Sequence, residues 1–286
     1  MLRKAILLLG GHGFIGTALA QRLRSEGEQV HVIGRQDVEK LGVLLPLCCA
    51  VVHLASSTTP GTSAMNPELE IGNLHLTLRL MELLHKQPDT HLVFFSSGGT
   101  VYGNPATLPV TEDAPLVPLS HHGAAKVAQE AFCQVLRAQG HAVTILRPSN
   151  AYGPGQTMKS GFGLVRTMLE HARLGTTLQV WGDGENVRDY VYIDDIVEAT
   201  MQFIRRPDDV GTYNLGSGVG HSVNQVQQLV EQCSGRPLAT HKHPARCADV
   251  RSIVLNCQRL NVALGWKPRV GLPEGMQSLW GALPCP

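Results

Sequence analysis

His122 and Lys126 are the pair of residues in this chain best suited to proton transfer. They lie four positions apart in a stretch with helical patterning, so their side chains would share one face of a helix. An imidazole exchanges a proton close to neutral pH, and a neighbouring ammonium group favours its neutral, proton-accepting form. The alternative is a histidine at a helix start that only packs or faces water. The pair can act on a ligand only if the rest of the chain builds a cleft around it.

A glycine-rich turn near the N-terminus predicts a phosphate-binding site. A strand-length apolar run ends at Leu9, and residues 17–24 have apolar side chains at helical spacing. Between them lie Gly10, Gly13 and Gly16. This spacing suits a tight turn, a close approach of the backbone to a pyrophosphate, and close packing of the helix on the strand. The helix N-terminus, at Phe14 and Ile15, would face the phosphate charge, so a dinucleotide cofactor is expected.

The end of the second predicted strand bears on which dinucleotide binds. An acidic residue commonly holds the ribose 2′-hydroxyl of NAD at this position, but here Gly34 is followed by Arg35. Glycine would not repel a 2′-phosphate, and Arg35 could meet it. The sequence therefore predicts NAD or NADP, with NADP slightly favoured.

The composition describes an ordinary globular protein and argues against several kinds of partner. The chain has 286 residues, of which 43% are hydrophobic and 16% charged, enough for one α/β core and a smaller lobe. The net charge is +1 without basic runs, so neither nucleic acid nor a membrane surface is expected as a partner. No apolar run reaches spanning length and the first residues lead directly into a strand, so a cytoplasmic location is expected.

The cysteines and histidines do not predict a metal site. Seven cysteines are an odd number without metal-ligand spacing, and the thirteen histidines are scattered. His241 and His243 alternate but have no third ligand nearby in the sequence. We expect buried thiols and no metal.

Strands alternate with helices through the first half of the chain. Strand patterns cover 29–33, 50–54, 91–95 and 142–146, and helical patterns cover about 68–86 and 123–139. This alternation predicts an α/β fold with a Rossmann-type, doubly wound parallel sheet and a cleft at the carboxyl ends of its strands.

A second, smaller C-terminal α/β lobe is predicted beyond Pro154. From there the composition changes to a glycine-dotted mixture of short helices and strands. We assign residues 1–155 to a dinucleotide-binding domain, to which the segment of about 186–215 returns. Residues 156–185 and 216–286 would form the substrate-binding lobe.

Motifs spread over nearly the whole chain resemble those of the extended short-chain dehydrogenases/reductases. They occur in the order of that superfamily: Gly10-x-x-Gly13-x-x-Gly16, His53-Leu54-Ala55-Ser56, Asn73, Ser96-Ser97-Gly98-Gly99-Thr100-Val101-Tyr102-Gly103, Lys126, Arg147-Pro148-Ser149-Asn150-Ala151-Tyr152-Gly153-Pro154, Arg188-Asp189-Tyr190-Val191-Tyr192-Ile193-Asp194-Asp195 and Leu264-Gly265-Trp266-Lys267-Pro268. Within it the chain is similar to the NAD-dependent sugar-nucleotide epimerase/dehydratase family, above all to UDP-glucose 4-epimerase-like members. The resemblance implies a homodimer that binds a nucleoside-diphosphate sugar, a UDP-sugar being favoured.

The resemblance also implies a transient oxidation. A base takes the proton of a sugar hydroxyl while the carbon gives a hydride to the nicotinamide, and the ketone is then reduced from its other face. Lys126 would bind the nicotinamide ribose and lower the pKa of the base at position 122, which in this family is tyrosine and here is His122. A hydroxyl at position 98 would hold the reacting oxygen, but this residue is Gly98, so Thr100 is the expected substitute. An imidazole nitrogen falls roughly 2 Å short of a phenol oxygen, so a bridging water and a slow reaction are expected.

Further binding residues follow from the resemblance. For the cofactor they are Leu54, Ala55, Ser56, Asn73 and Ser96, in addition to the glycine turn and Lys126. For the sugar nucleotide they are Ser97, Asn150, Arg188, Arg246 and Asp249. A guanidinium fork suits phosphate geometry, and an exposed salt bridge is the alternative for either arginine.

Two functions remain open at this point. The first is a sugar-nucleotide epimerase or keto-reductase with an altered base, and the second is a catalytically impaired paralogue that binds these ligands as a sensor or scaffold. A dehydratase is less expected, because dehydratases of this family have an Asp-Glu pair where Gly99 and Thr100 stand here. The presence of Asn73, Lys126 and the substrate-lobe arginines favours the enzyme.

Overall fold

A six-stranded parallel β-sheet forms the centre of the protein. The computed structural model describes residues 4–158, 163–245 and 249–284. The strands are β1 (Ala5–Leu9), β2 (Val30–Ile33), β3 (Cys48–His53), β4 (His91–Phe95), β5 (Val143–Pro148), β6 (Asn150–Tyr152), β7 (Leu178–Trp181), β8 (Val187–Tyr192), β9 (Gly211–Leu215), β10 (Gly220–Ser222), β11 (Thr240–His243) and β12 (Ser252–Ile253). The helices are α1 (Phe14–Ser25), α2 (Leu41–Leu44), α3 (Pro60–Met65), α4 (Leu69–Leu84), α5 (His121–Ala138), α6 (Leu164–Leu174), α7 (Ile193–Arg205), α8 (Val223–Ser234), α9 (Gln258–Leu264) and α10 (Leu272–Gly281). The large sheet has the order β2-β1-β3-β4-β5-β9 with every neighbouring pair parallel, which confirms the predicted α/β, Rossmann-type fold.

The inner strands send alternate side chains into two apolar layers. Leu8 and Val52 belong to a cluster on one face of the sheet, where α1 packs against α7. Leu7, Leu9 and Val51 belong to the cluster on the other face, where α4 packs against α5. Strands buried on both faces in this way read as continuous apolar runs, and that is how the sequence predicted them.

The large sheet ends at β2, from which a short connection leads to β3. It consists of the 3-10 helices Arg35–Lys40 and Leu45–Leu47 with the single helical turn α2 between them. A common dinucleotide-binding sheet has the order 3-2-1-4-5-6, with a further strand outside the second. Here the third strand in chain order pairs with the other side of β1, and β2 has one strand neighbour within the described residues. Helical turns therefore form the rim of the cleft next to β2.

Shorter elements build a second lobe from the point where β5 leads into β6. β8 pairs in parallel with β6 and β12 and antiparallel with β10, and β7 pairs in parallel with β11. The apolar cluster on the α1 side continues into this lobe, since Val52 of β3 and Val230 of α8 both belong to it. Within the segment 186–215, β9 lies in the large sheet and β8 in the smaller one. The proposed domain boundaries remain an interpretation.

Neither a membrane-spanning helix nor a cluster of metal ligands is found in the described part of the chain. No helix there combines the length and the hydropathy needed to cross a bilayer. No three His, Cys, Asp or Glu side chains come together there as a metal site requires.

Candidate functional site

The candidate site lies where the loops after β1, β3 and β4 meet. β2 and β3 lie on opposite sides of β1, so the connections diverge there and open a crevice at the carboxyl ends of the strands. The amide of Leu54 donates to the carbonyl of Leu9 at 2.8 Å, which joins the first two loops. The structure thus brings the predicted glycine turn together with Leu54, Ala55, Ser56, Ser96 and Ser97 at one edge of the sheet.

The glycine turn after β1 leaves no room for a side chain at Gly10 or at Gly16. Gly10 has a φ of +89°, and a Cβ there would lie 2.6 Å from the backbone of Ala55. A Cβ on Gly16 would lie 2.5 Å from Cα of Gly11, so α1 packs closely onto the turn. A Cβ on Gly13 would meet only the carbonyl oxygen of Gly10, at 3.4 Å, so the turn is open there to the close approach that a pyrophosphate requires.

The N-terminus of α1 offers backbone donors to an anion. Gly13 is the N-cap of α1, and this helix has no side-chain cap and no acidic residue in its first turn. The amides of the first turn, which includes Phe14 and Ile15, have no acceptor within the helix. These donors and the helix dipole fit the diphosphate of a dinucleotide.

A carboxylate that the sequence did not place in the site stands at the end of β2. A Cβ on Gly34 would lie 3.2 Å from Cδ2 of His12 and 4.0 Å from Oδ2 of Asp37. Asp37 therefore reaches the region that an acidic side chain at position 34 would occupy. Its other oxygen binds Lys40 at 2.6 Å, and this hydrogen bond holds the pKa of Asp37 below its ordinary value. Arg35 begins the 3-10 helix here, but its side chain lies outside the described residues.

The start of α5 brings the predicted acid/base pair to this crevice. Ser120 caps the helix by accepting a hydrogen bond from the amide of Gly123 at 3.1 Å. A Cβ on Gly123 would lie 2.7 Å from the carbonyl oxygen of Thr100, so the helix start packs directly on the loop after β4. His122 and Lys126 are both buried, at 8% and 6% exposure.

Among the described residues, His122 has hydrogen-bond partners at one of its two ring nitrogens. Its Nδ1 lies 3.1 Å from Oγ1 of Thr58 and 3.3 Å from Oε1 of Glu70. Its Nε2 makes no hydrogen bond with any described residue. Burial, followed by the positive charge of Lys126, lowers the pKa of His122, and Glu70 acts in the opposite direction. The ring is therefore neutral at neutral pH and has one nitrogen left for a ligand.

Lys126 is held under the same loops. Its Nζ donates to the carbonyl of Phe95 at 2.8 Å and lies 5.0 Å from the centre of the Phe94 ring. Burial lowers the pKa of Lys126 to about 8. The side chain is mostly charged at neutral pH, and its positive charge acts on the His122 ring.

Two residues of α4 complete the polar network around His122. Asn73 donates from Nδ2 to Oγ1 of Thr58 at 2.9 Å and to Oε2 of Glu70 at 2.7 Å, and its Oδ1 accepts from the amide of Ser57 at 2.8 Å. Burial raises the pKa of Glu70. Hydrogen bonds to the carboxylate lower it, and that from Asn73 has the largest effect of these. Together with the charge that His122 carries when protonated, they bring the pKa of Glu70 below its ordinary value. Glu70 is therefore an ionised carboxylate in a buried site.

Sequence reasoning singled out Asn73 and missed Glu70. Glu70 lies three residues earlier on α4, one turn away on the same face of the helix. That spacing was the available signal, but it becomes informative only once α4 is known to face His122.

Thr100 has a hydroxyl without a partner, as a substitute for the absent side chain at Gly98 would. Its Oγ1 is buried and has no hydrogen-bond partner among the described residues. A Cβ on Gly98 would lie 2.6 Å from Cδ1 of Leu255 and 2.8 Å from the carbonyl oxygen of Arg147, so no side chain fits there. A buried hydroxyl without a partner is costly unless a ligand meets it. This observation supports the role predicted for Thr100.

Two of the predicted cofactor residues have hydroxyl groups engaged within the protein. Ser56 donates from Oγ to the carbonyl of Thr58 at 3.2 Å. Ser96 donates from Oγ to the carboxylate of Glu130. Their side chains thus shape the loops, and contact with a cofactor would come mainly from their backbone.

Three polar side chains of the second lobe have groups without a partner among the residues that the structure describes. Arg188 is half-buried, donates from Nη1 to the carbonyl of Val187 at 2.9 Å, and forms no ion pair with a described carboxylate. Burial lowers the pKa of Arg188. The hydroxyl of Tyr190 and Nδ1 of His221 are buried and have no hydrogen-bond partner in the described part of the chain. His221 is opposite Arg188 in the β8–β10 pair, so all three share one face, which suits a diphosphate or a hydroxylated ligand.

The structure gives fewer contacts for the other predicted substrate residues. Asn150 donates from Nδ2 to the carbonyl of Asp189 on β8 at 2.9 Å, next to Arg188 in the sequence. Asp249 is exposed. Burial lowers the pKa of Arg188, and the charge of Asp249 acts in the opposite direction. Arg246 lies outside the described residues.

The residues described above provide three chemical capabilities. The glycine turn and α1 can hold a dinucleotide diphosphate, and His122 with Lys126 and Thr100 can exchange a proton with a hydroxyl group. Arg188 can hold an anionic ligand from the second lobe. Together these groups fit an enzyme that moves a hydride and a proton on an anionic substrate.

Known proteins share both the fold and the length of this chain. Residues 6–216 match the NAD dependent epimerase/dehydratase family. The chain is 31% identical to a UDP-glucose 4-epimerase of Mycolicibacterium smegmatis, over 94% of this chain and 95% of that protein. The UDP-glucose 4-epimerase of Thermotoga maritima, solved with UDP-glucose, has a TM-score of 0.90 and 30% identity, over 97% of this chain and 98% of that one. The UDP-glucose 4-epimerase of Thermus thermophilus, solved with NAD, has a TM-score of 0.90 and 29% identity over the same shares.

Proposed function

The chain belongs to the NAD-dependent epimerase/dehydratase family, and from that membership we propose that it is an epimerase acting on a UDP-sugar. The observation that carries the proposal is the buried pair of His122 and Lys126, in which Nε2 of His122 has no partner within the described residues. A catalytically silent protein would have no need to keep a charged lysine and an ionised Glu70 buried beside a bare ring nitrogen.

Each group has a part in the proposed reaction. The glycine turn and Lys126 would hold NAD, which when bound would supply reversible acceptance of a hydride. His122 takes the proton of the sugar hydroxyl through Nε2 and returns it in the second half of the reaction. The hydroxyl of Thr100 donates to the reacting oxygen, and Arg188 holds the diphosphate.

Turnover of nucleotide sugars tests this function. We expect the protein with NAD to interconvert UDP-glucose and UDP-galactose, or another pair of UDP-sugars, without net formation of NADH, because the hydride returns to the sugar. Products are separated by anion-exchange chromatography. Net consumption of NADH with a keto-sugar nucleotide would favour a reductase. Binding of both ligands without turnover would favour the impaired paralogue.

The cofactor preference depends on Asp37. The sequence slightly favoured NADP, from Gly34 and Arg35, but the Asp37 carboxylate beside Gly34 favours NAD. A carboxylate accepts a hydrogen bond from a ribose 2′-hydroxyl and repels a 2′-phosphate. We therefore propose that NAD binds more tightly than NADP.

Asp37→Ser is expected to shift the ratio of the two dissociation constants toward NADP by about tenfold, or about 1.4 kcal/mol. Titration calorimetry with each cofactor measures the ratio. Glu39→Ser, at an exposed position on the same 3-10 helix, is the matched control and should leave the ratio unchanged. A wild-type preference for NADP would contradict the role of Asp37.

The expected homodimer has a candidate surface on α4 and α5. The two helices pack together, and their outer sides expose Ile71 at 65%, Leu78 at 47% and Val135 at 57%. Ile71 and Leu78 are two turns apart on one face of α4. Exposed apolar side chains in such a group mark protein interfaces. Sedimentation velocity, which would give about twice the chain mass of 30.9 kDa for a dimer, is the measurement for this proposal.

A further inference from the structure

Glu70 makes a contact with His122 that restricts where the ring can carry its proton. Oε1 of Glu70 lies 3.3 Å from Nδ1 of His122, and the two residues are only 6% and 8% exposed. An ionised carboxylate can only accept hydrogen bonds. A lone pair on Nδ1 would face its negative charge in a site of low dielectric, whereas a proton on Nδ1 would be attracted to it.

The second neighbour of Nδ1, the hydroxyl of Thr58, does not determine the tautomer of the ring. Oγ1 of Thr58 lies 3.1 Å from Nδ1 and already accepts a hydrogen bond from Asn73 at 2.9 Å. A hydroxyl can both donate and accept, so Thr58 is compatible with either form of the ring. The Glu70 carboxylate is therefore the group that determines the tautomer of His122.

We propose that Glu70 is a positioning residue that fixes the His122 tautomer with the proton on Nδ1, so that Nε2 is the basic atom, and that its charge stabilises the imidazolium formed during proton transfer. The catalytic part of this inference rests on the proposed function, because it requires that Nε2 meets a substrate hydroxyl. The tautomer itself does not depend on any substrate.

The charges around His122 explain why such a residue is needed. Lys126 on α5 is the positive group that acts on the ring, and Glu70 on α4 is the negative one. α3, which also packs against α5, has no ionisable side chain, and the loop before it contributes the neutral Thr58. A histidine base becomes positively charged when it takes a proton, and Lys126 opposes that charge. Glu70 offsets this repulsion at the nitrogen farther from the substrate.

The tautomer can be measured without turnover. Nitrogen-15 NMR of the histidine rings distinguishes a protonated Nδ1 from a protonated Nε2, and His122→Gln assigns the signal. We expect the proton on Nδ1 in the wild-type protein and a mixture of tautomers in Glu70→Gln, which keeps the size of the side chain but removes its charge. Glu68→Gln, two residues earlier and exposed, should behave like wild type. A wild-type ring with its proton on Nε2 overturns the proposal, even if the variant fails to fold.

The pH dependence of turnover tests the catalytic part. The base must be neutral, and removal of the carboxylate lowers the pKa of His122, so the acid limb of kcat/KM should move to lower pH in Glu70→Gln by about one unit. Without its counter-charge the imidazolium is less stable, so kcat should fall by about 10- to 100-fold. Glu68→Gln should change neither quantity.

The outcomes separate the two proposals. A loss of activity in Glu70→Gln without movement of the acid limb would mean that Glu70 only supports the fold, and would overturn the inference. If the wild-type tautomer is as expected but no UDP-sugar is turned over, the positioning role stands and the proposed function fails.

Discussion

His122→Phe is expected to lower kcat for UDP-sugar interconversion by about 100- to 10,000-fold, the usual contribution of a placed acid/base group. Phenylalanine fills the buried space of the ring but has no nitrogen to take the proton. The affinity for NAD should change little, because the glycine turn and the N-terminus of α1 are untouched. Steady-state kinetics and a NAD titration on the same preparation measure both quantities.

The neighbouring histidine supplies the control for this variant. His121 is exposed at the first position of α5, so His121→Phe should retain the wild-type kcat. If His122→Phe kept more than about a tenth of the activity, a group other than His122 would have to move the proton, and the proposed mechanism would fail.

Arg188→Met is expected to weaken binding of UDP-glucose by about 10- to 150-fold, which corresponds to the 1.5–3 kcal/mol of a hydrogen bond to a charged group. In the protein without ligand the same change should leave the melting temperature equal or higher, because the half-buried guanidinium forms no ion pair among the described residues. Titration calorimetry and thermal unfolding measure the two effects.

An arginine with a different environment provides the comparison. Arg259 on α9 is exposed and ion-paired with Asp113 at 2.5 Å, so Arg259→Met should leave the affinity for UDP-glucose unchanged. A surface pair of this kind contributes little to stability. The opposite pattern for Arg188→Met, a lower melting temperature with unchanged affinity, would make Arg188 a structural residue.

Features that depend on neighbours in the sequence could be predicted from the sequence. The strand, the glycine turn and α1 follow one another without interruption, and the φ of +89° at Gly10 is a local requirement of that turn. The side chains of His122 and Lys126 lie on the same side of α5 because the two residues are four positions apart on this helix. Periodicity likewise placed β4 and the continuous apolar runs of the sheet.

The order of the strands in the sheet could not be predicted from the sequence in the same way. Hydrophobic patterns identify a strand but not its neighbours, so the sequence showed β2 and β3 in succession without showing that β3 crosses to the other side of β1. The end of the sheet at β2 results from that crossing. Asp37 approaches Gly34 through the local 3-10 turn, in which its amide donates to the carbonyl of Gly34 at 3.3 Å. The inference of an NADP preference considered only Gly34 and Arg35 at the end of the strand and did not take this turn into account.

By itself, the sequence indicated the family through the resemblance of its motifs, and it determined the fold class, the glycine turn and the pair of His122 and Lys126, because these are encoded in local spacing. Only the tertiary structure decided that Glu70, 52 residues before His122 in the chain, lies against Nδ1 of that ring. Only it showed that Leu255 fills the space at Gly98 and that Arg188 and His221 share one face. These contacts join distant segments through the order of the strands and the packing of α4 on α5, and no local pattern of residues specifies them.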